Sequence, residues 1–530
     1  MAEFAGCVAV STRGFHIFHQ FSESPVQTTT IQEMRAFSSQ KRKQESSLGL
    51  EELSSEQLIE RFADRLRHQQ EELSELVRPL DRQLIKLIRS RLPSIRRDDL
   101  DSLVQRQLGG DRTLADFLSN YLTYILLVQF EEEPRAINHA FSNYQTQTEP
   151  MIDHDNNFNL LLNAYNPASN IFRRSDAAFF TRSIQQLSHG LVHFATKADR
   201  KKRSTKKEKA SEAARQMTTT LGVACIDRTP EEPSKRRAAF SLANGLFKIY
   251  FFLNNMRLCD TVVKNISNVL NQLETHYPKA ELVTFHYYLG RLALYQRRLH
   301  KARESLKKAF DLCQTDSWRN RRLILTYLIV ASLPLGILPR PVLLEQFQLQ
   351  SKFHEVVGSL RTGNWPGVVN GLEKNRDWFR YKGIYILLRE KLEVICWRNF
   401  FVITAGLKNG NSGMRLSLTQ SVEAARKVFL EPSIDEDDIV CMASSLIDQG
   451  YLKAYVKLGE MIVFGSVLPQ ISTVGEHMNE GGTEALPAFS EKTISMSIQP
   501  SSDSDAPIKS NRHPFSIRGS KKINHTRRFA

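Results

Sequence analysis

The chain has 530 residues, of which 41% are hydrophobic and 24% charged, and its net charge is +15 at pH 7. This composition is typical of a globular protein with several domains. The basic excess favours nucleic acid, acidic protein tails or anionic membrane surfaces, and does not choose among them. The six cysteines form no CxxC pair, which argues against a zinc site or a disulfide framework. No apolar run approaches the roughly 18 residues that span a bilayer. Glu3 stands where a signal peptide needs positive charge, so we expect neither membrane insertion nor secretion.

The first 160 residues divide into an unpatterned segment and a helical one. Residues 1–48 lack periodicity and are rich in Ser, Thr and Gln, so we expect them to be disordered. In residues 49–160 apolar side chains recur at helical spacing, and Ser55 is expected to cap the first helix. Pro79 predicts a break between two of these helices.

Two polar segments follow. The Pro/Asn-rich stretch from Glu131 to about Asn170 is predicted to be a connector. The run KADRKKRSTKKEK, residues 197–209, holds eight Lys/Arg against two acidic residues. It is either a solvated loop between helices or a nuclear-localisation or polyanion-binding segment.

Residues 161–400 are predicted to form helical repeats, since helical spacing predominates and alternating strands are hard to find. Gly290 precedes Ala302 and Ala309 at offsets typical of tetratricopeptide repeats, where small residues let two antiparallel helices approach closely. The full repeat consensus does not recur. We therefore expect a degenerate repeat and a helical solenoid.

Residues 401–466 are predicted to form a winged helix. SLTQSVEAARKVF is expected to be one helix, and Ser433, three residues before Glu436, is expected to form the capping box of the next, which Gly450 ends. YLKAYV and MIVF alternate as two strands around a turn at Gly459. Helices followed by a hairpin are typical of a winged helix.

Residues 467–530 are rich in Ser, Pro and Gly and end in a segment with seven Lys/Arg and no acidic residue, so we expect a disordered basic tail. The predicted fold class is all-α: a tetratricopeptide-like helical-repeat solenoid capped by a C-terminal winged helix, with disordered termini.

A series of segments carries a family resemblance. In chain order these are NGLFKIYFFLNNMRLC, YYLGR, NRRLILTYLI, SLPLGILPRPVLLEQF, GIYILLREKLEVICWRNFF and IDEDDIVCMASSLIDQGYLKAYV. Together they resemble the PCI domain (named for proteasome lid, signalosome and initiation factor), and more closely the family of PCI domain-containing protein 2. The resemblance covers about residues 170–466. At residue 454 this sequence has alanine, whereas the family has glycine at this position of the wing strand. The first 150 residues match the family only loosely.

The resemblance implies a non-catalytic scaffold subunit of a nuclear-pore-associated, transcription-coupled mRNA export complex. Its implied partners are a large PCI-containing scaffold subunit, a small acidic disordered subunit shared with the proteasome lid, and mRNA or DNA. Nuclear localisation follows from the same resemblance, and no cofactor or small-molecule substrate is implied. The alternative is a signalosome-like or splicing-associated adaptor that binds only proteins, because the signalosome subunit twelve type shares this architecture.

Basic residues around the predicted hairpin and its first helix are the candidates for nucleic-acid contact: Arg415, Arg426, Lys427, Lys453 and Lys457. Each would add salt-dependent affinity through a phosphate, or is an ordinary solvated charge. The next helix begins with IDEDD, and its carboxylates would repel the major groove. We therefore expect backbone binding by the wing.

Two Trp–Arg segments, WRNRR and WRNFF, supply further candidates for partner binding or a basic patch: Arg319, Arg321, Arg322 and Arg398. The aromatic residues Trp318, Trp397, Phe400 and Phe401 are expected to pack between helices. No enzyme motif is apparent, and His189 with His193 lacks the glutamate of HExxH and a third ligand, so we predict no metal site.

Overall fold

Helices form most of the structure, a computed structural model that describes residues 53–92, 97–130, 152–201, 206–228, 234–273, 277–406, 415–457, 461–464 and 483–485. The predictions for residues 1–48, for most of the C-terminal tail, for the turn at Gly459 and for the middle of the basic run lie outside the described residues.

The helices described before residue 130 are α1 Ser55–Arg67, α2 Leu73–Leu76, α3 Arg82–Arg91, α4 Arg97–Leu108 and α5 Arg112–Leu127. They are followed by α6 His154–Phe172, α7 Thr181–Lys201, α8 Glu208–Ile226, α9 Ala239–Leu253, α10 Met256–Leu273, α11 Lys279–Tyr295, α12 Leu299–Leu312 and α13 Trp318–Ser332. Next come strand β1 Ile337–Pro339 and helices α14 Pro341–Gln346, α15 Gln350–Arg361, α16 Trp365–Lys374, α17 Arg376–Tyr381 and α18 Tyr385–Thr404. The remaining elements are β2 Arg415–Ser417, α19 Leu418–Phe429, α20 Glu436–Asp448, β3 Ala454–Lys457, β4 Met461–Phe464 and β5 Thr483–Ala485.

The start of helix α1 differs from the prediction by one residue. Ser54 is the N-cap, and its hydroxyl accepts from the backbone N–H of Gln57, whose side chain accepts from the Ser54 N–H in return. Ser55 instead donates its hydroxyl to the carbonyl of Arg91, which ties α1 to the end of α3. Adjacent serines offer the same cap chemistry, so the sequence alone does not select between them. The predicted break at Pro79 is present between α2 and α3.

Helix α6 contradicts the connector prediction for its second half, and residues 131–151 of that segment lie outside the described part of the chain. Asp153 is the N-cap, its carboxylate accepts two backbone N–H groups, and Pro167 lies inside the helix. The asparagines make this segment polar in composition, although apolar side chains recur in it at helical spacing. They include Phe158, Leu161 and Tyr165, each fully or almost fully buried. The predicted boundary between residues 160 and 161 therefore falls within one helix.

The middle of the chain stacks helices in two layers, as expected for a solenoid of helix pairs. Helices α7, α9, α11 and α13 contact one another in sequence in one layer, and α6, α8 and α10 do so in the other. The close approach predicted at Gly290 is present, because a Cβ there would lie 2.5 Å from Leu306 Cγ and 3.2 Å from the carbonyl oxygen of Ala302. The Leu-Pro step after α13 contains strand β1, which pairs antiparallel with β5.

A winged helix follows the helical repeats, and its strands have the order β2–β4–β3, with each neighbouring pair antiparallel. Its core contains Trp397 from α18, stacked on Phe429 of α19 at 3.8 Å between ring centroids. Phe400 and Phe401 are also buried there, as predicted. Because α18 supplies these side chains, the predicted boundary between residues 400 and 401 also falls inside a helix.

The capping box of α20 lies two residues beyond the predicted position. Asp435 is the N-cap and exchanges hydrogen bonds with Asp438, while the Ser433 hydroxyl donates to Glu431. Aspartate is as good an N-cap as serine, and its charge also suits the positive end of the helix dipole. The chain thus has the predicted fold, an all-α helical-repeat solenoid capped by a winged helix.

Candidate nucleic-acid interface

The three-stranded sheet of the winged helix has one buried and one exposed face. Leu416 of β2 pairs with Ile462 of β4, and both side chains are buried against the core. Because side chains alternate along a strand, the residues on either side of these two point to the opposite face. That opposite face, which we call the outer sheet face, consists of Arg415, Ser417, Tyr455, Lys457, Met461 and Val463.

Two rows of side chains cross the outer sheet face. Val463 pairs with Arg415 on one side and with Tyr455 on the other. Arg415 and Tyr455 are therefore two strand spacings apart, about 10 Å between Cα atoms. Both are exposed, and the Tyr455 side chain is 60% accessible. The second row joins Ser417, Met461 and Lys457. Tyr455 thus shares this face with two exposed cations, Lys457 on its own strand and Arg415 two strands away.

Of the five basic candidates, the structure brings Arg415 and Lys457 together on the outer sheet face. Lys453 is exposed and immediately precedes β3, at the edge of the same surface. Arg426 and Lys427 lie elsewhere, in the last turn of α19. The sequence predicts all five as one group, because it does not reveal the strand register that places Arg415 and Lys457 on one face.

Arg426 has a structural contact that accounts for its position. Its Nε donates to the carbonyl of Ile434 at 2.8 Å, which ties the end of α19 to the start of α20. Lys427 beside it is exposed. Basic residues in the last turn of a helix also interact favourably with its dipole.

The N-terminus of α20 is strongly acidic. Asp435, Glu436, Asp437 and Asp438 occupy its cap and first turn. Glu436 accepts a hydrogen bond from the Thr419 hydroxyl at 3.1 Å. These carboxylates would meet the phosphates if α20 entered a major groove, so the outer sheet face is the better candidate for nucleic acid.

The position of Arg398 does not fit its predicted role in a basic patch. It is 3% exposed, and its Nη1 donates to the Asn399 side chain at 2.8 Å. Burial lowers the pKa of this guanidinium to about 10. Helix α18 turns this residue inward at the junction of solenoid and winged helix, where it is closed to a partner.

The other Trp–Arg segment is partly exposed at the start of α13. Trp318 is 36% exposed, so the expectation that it packs between helices is wrong. Arg322 lies over its ring at 5.5 Å and donates to the carbonyls of Phe347 and Gln348 at 2.9 and 3.2 Å.

The remaining two arginines of this segment differ in their surroundings. The guanidinium carbon of Arg321 lies 4.5 Å from the centre of the Phe310 ring. Arg319 is exposed. Arg321 therefore packs within the repeats, whereas Arg319 lies on the surface.

The described residues contain no group of three or more His, Cys, Asp and Glu side chains that could hold a metal ion. His189 Nε2 and the Ser241 hydroxyl are 3.1 Å apart, which places this histidine in a contact between α7 and α9. Among the described helices, none has the length and apolar character to cross a membrane.

Sequence reasoning missed strand β2 and the role of Tyr455. Leu416 lies between Arg415 and Ser417, a polar–apolar–polar pattern that could have predicted a strand, but three residues are too few for periodicity to decide. Tyr455 stands between Lys453 and Lys457 with the period of two of a strand. That spacing was a usable signal for an exposed aromatic flanked by cations.

Known proteins with similar sequences carry PCI domains. A PCI domain-containing protein of Schizosaccharomyces pombe is 30% identical over 375 residues, which cover 68% of this chain and 80% of that protein. The PCI domain-containing protein 2 homologue of Dictyostelium discoideum is 36% identical over 235 residues, 43% of this chain and 52% of the relative. The CSN12 homologue of Neurospora crassa is 29% identical over 266 residues, 48% of this chain and 59% of the relative.

The match thus spans most of the first relative and just over half the length of the other two. No protein-family model matches the sequence. The relatives nevertheless agree with the architecture, in which helical repeats end in a winged helix. The chain belongs to the PCI domain-containing protein 2 family of scaffold proteins.

Proposed function

We propose that this chain is a non-catalytic PCI scaffold subunit of a nuclear-pore-associated, transcription-coupled mRNA export complex, and that its outer sheet face binds nucleic acid. In this proposal the solenoid holds a large PCI-containing scaffold subunit and a small acidic disordered subunit shared with the proteasome lid. The protein acts in the nucleus, at the nuclear pore, and its polyanionic ligand is mRNA or DNA.

The observation that supports the proposal is the juxtaposition of Arg415, Tyr455 and Lys457 on one exposed face. Cations that neutralise phosphates release counterions, which gives affinity without sequence preference. An exposed tyrosine ring adds a platform on which a base stacks. The pattern suits a single strand, because its bases are accessible to the ring while its backbone contacts the cations.

The test is fluorescence anisotropy of the heterodimer with its large PCI-containing partner, using labelled single-stranded RNA and duplex DNA at several salt concentrations. The double variant Arg415→Glu and Lys457→Glu should weaken binding and reduce the salt slope by about 0.7 for each lost contact on a single strand. Tyr455→Ala should weaken single-strand binding by about 1–3 kcal/mol and leave the salt slope unchanged.

Arg415→Glu and Lys457→Glu are also measured singly, and the matched control for each is Lys427→Glu, a single charge reversal on α19 away from the outer sheet face. If it reduces affinity as much as the changes on the sheet, general charge governs binding and the proposed face is wrong. Unchanged affinity and salt slope in the double variant would also refute nucleic-acid binding by this face.

The alternative function is a signalosome-like or splicing-associated adaptor that binds only proteins. Similarity to the CSN12 homologue of Neurospora crassa favours it. Affinity purification from nuclease-treated extract separates the two. Recovery of pore and export factors supports the first function, and recovery of signalosome subunits with no nucleic-acid binding by the purified complex supports the second.

A further inference from the structure

A cavity of about 630 Å³ lies in the helical repeats between α9, α11, the end of α12 and the start of α13. Its volume is within the range of small-molecule sites. Tyr287, Tyr288 and Ile324 supply buried apolar lining. Exposed Gln314 and Thr315 lie on the loop between α12 and α13, where polar groups meet solvent.

Lys248 is an unusual member of this lining. It is the single charged residue of helix α9, and its neighbours Phe247 and Ile249 are fully buried. Among the described residues its ammonium forms neither a hydrogen bond nor an ion pair. Burial lowers the pKa of Lys248, and the nearby Arg200 guanidinium lowers it further. The protein thus keeps a partly buried cation close to another cation, an arrangement that costs stability unless an anion offsets it.

A purely structural role for this lysine would be to neutralise the negative end of the α9 dipole. That position is already occupied, because Lys207 Nζ donates to the carbonyl of Phe252 at the end of the helix. Lys207 also lies over the Phe252 ring at 4.2 Å. Helix capping therefore does not require Lys248.

The other charged groups that line the cavity are Lys279 and Asp311, so the lining holds two cations and one carboxylate. Burial raises the pKa of Asp311, while Lys307 and Arg321 lower it. A ligand with one acidic group thus finds a net positive lining, whereas a cationic ligand has Asp311 alone to pair with. The aromatic and aliphatic walls favour an apolar body.

We propose that this cavity binds an amphipathic organic anion, whose carboxylate, sulfonate or phosphate head pairs with Lys248 while its apolar body packs against Tyr288 and Ile324. This site lies in the helical repeats and is independent of the outer sheet face. It requires neither nucleic acid nor a partner subunit.

The test uses the full chain and the probe anilinonaphthalene sulfonate, an aromatic anion whose fluorescence rises in apolar surroundings. A single saturable site is expected. Laurate should displace the probe, whereas dodecanol, which has the same chain and no charge, should compete at least about tenfold less well. Equal competition by the two would overturn the role assigned to the cation.

Three variants locate the site. Lys248→Met keeps an unbranched apolar side chain, one heavy atom shorter, and removes the charge, and should weaken probe and laurate binding by at least about tenfold. Lys264→Met, the same change at an exposed position of α10, should leave both affinities unchanged. Thr284→Trp fills the cavity from α11 and should abolish the signal while circular dichroism remains native. Wild-type affinity in either Lys248→Met or a folded Thr284→Trp protein would refute the proposal.

Discussion

Replacing Gly290 with alanine should destabilise the protein, although alanine is the better helix former. The added Cβ would lie 2.5 Å from Leu306 Cγ and 3.2 Å from the Ala302 carbonyl oxygen. Leu306 is fully buried, and the contacted atom is its branch point, so the clash requires helices α11 and α12 to separate. Such overpacking costs about 1–3 kcal/mol. The gain in helix propensity is about 1 kcal/mol. The difference between the two terms is a net loss of up to about 2 kcal/mol in the free energy of unfolding.

The matched control is Gly358→Ala in helix α15, where an added Cβ meets no atom within 4 Å. This variant should be stabilised by about 0.5–1 kcal/mol. Urea unfolding followed by circular dichroism measures both midpoints, and an unchanged slope allows them to be compared as stability differences. If Gly290→Ala is as stable as Gly358→Ala, close helix contact does not constrain residue 290 and the reasoning fails.

Two further predictions concern buried groups. Burial raises the pKa of Glu281 to about 7, and its Oε2 has no hydrogen-bond partner among the described residues. Between pH 4.5, the ordinary pKa of the carboxyl in the unfolded chain, and about pH 7, the folded state keeps a proton that the unfolded state has released. The free energy of unfolding therefore falls as the pH rises through this range. Glu281→Gln should remove this loss, adding up to about 3 kcal/mol at pH 8 and nothing at pH 4. The control Glu304→Gln, at an exposed position, should leave the free energy of unfolding unchanged at both pH values. If urea titrations show an effect of Glu281→Gln that does not depend on pH, the raised pKa of Glu281 is contradicted. Trp397→Ala should lower the free energy of unfolding by about 3–5 kcal/mol and raise hydrogen exchange in the winged helix. Trp318→Ala, at a partly exposed position, should lower it less. Equal losses of stability in the two variants would refute the role of the Trp397–Phe429 stack.

The sequence predicted the repeat geometry well because its signals are local. Gly290 and Ala302 occupy fixed offsets, and the structure places them at the predicted helix contact. The connector prediction failed at α6 because asparagines and Pro167 outweighed an apolar stripe that includes Leu161. Tertiary burial decides such a segment, and composition does not report it.

The candidate site was predictable only in part, because strand register depends on pairing between distant segments. Five basic residues were identified from the hairpin, but Arg415 joins Lys457 only through β4. Arg398 was misassigned since an arginine beside aromatic residues has the same local sequence at a surface and in a core. Its burial arises where α18 meets both the repeats and the winged helix.

Helix α18 fixes where the outer sheet face points. The helix packs against α15 and α16 of the repeats, and it also supplies Trp397 to the winged-helix core. Helix α18 is therefore part of both cores, and a hinge motion between the described parts of repeats and winged helix would have to break the Trp397–Phe429 stack at 3.8 Å. This shared helix couples the direction of the outer sheet face to the solenoid. A partner held by the repeats would consequently determine how a polyanion approaches Arg415 and Lys457, and that is the arrangement a scaffold requires.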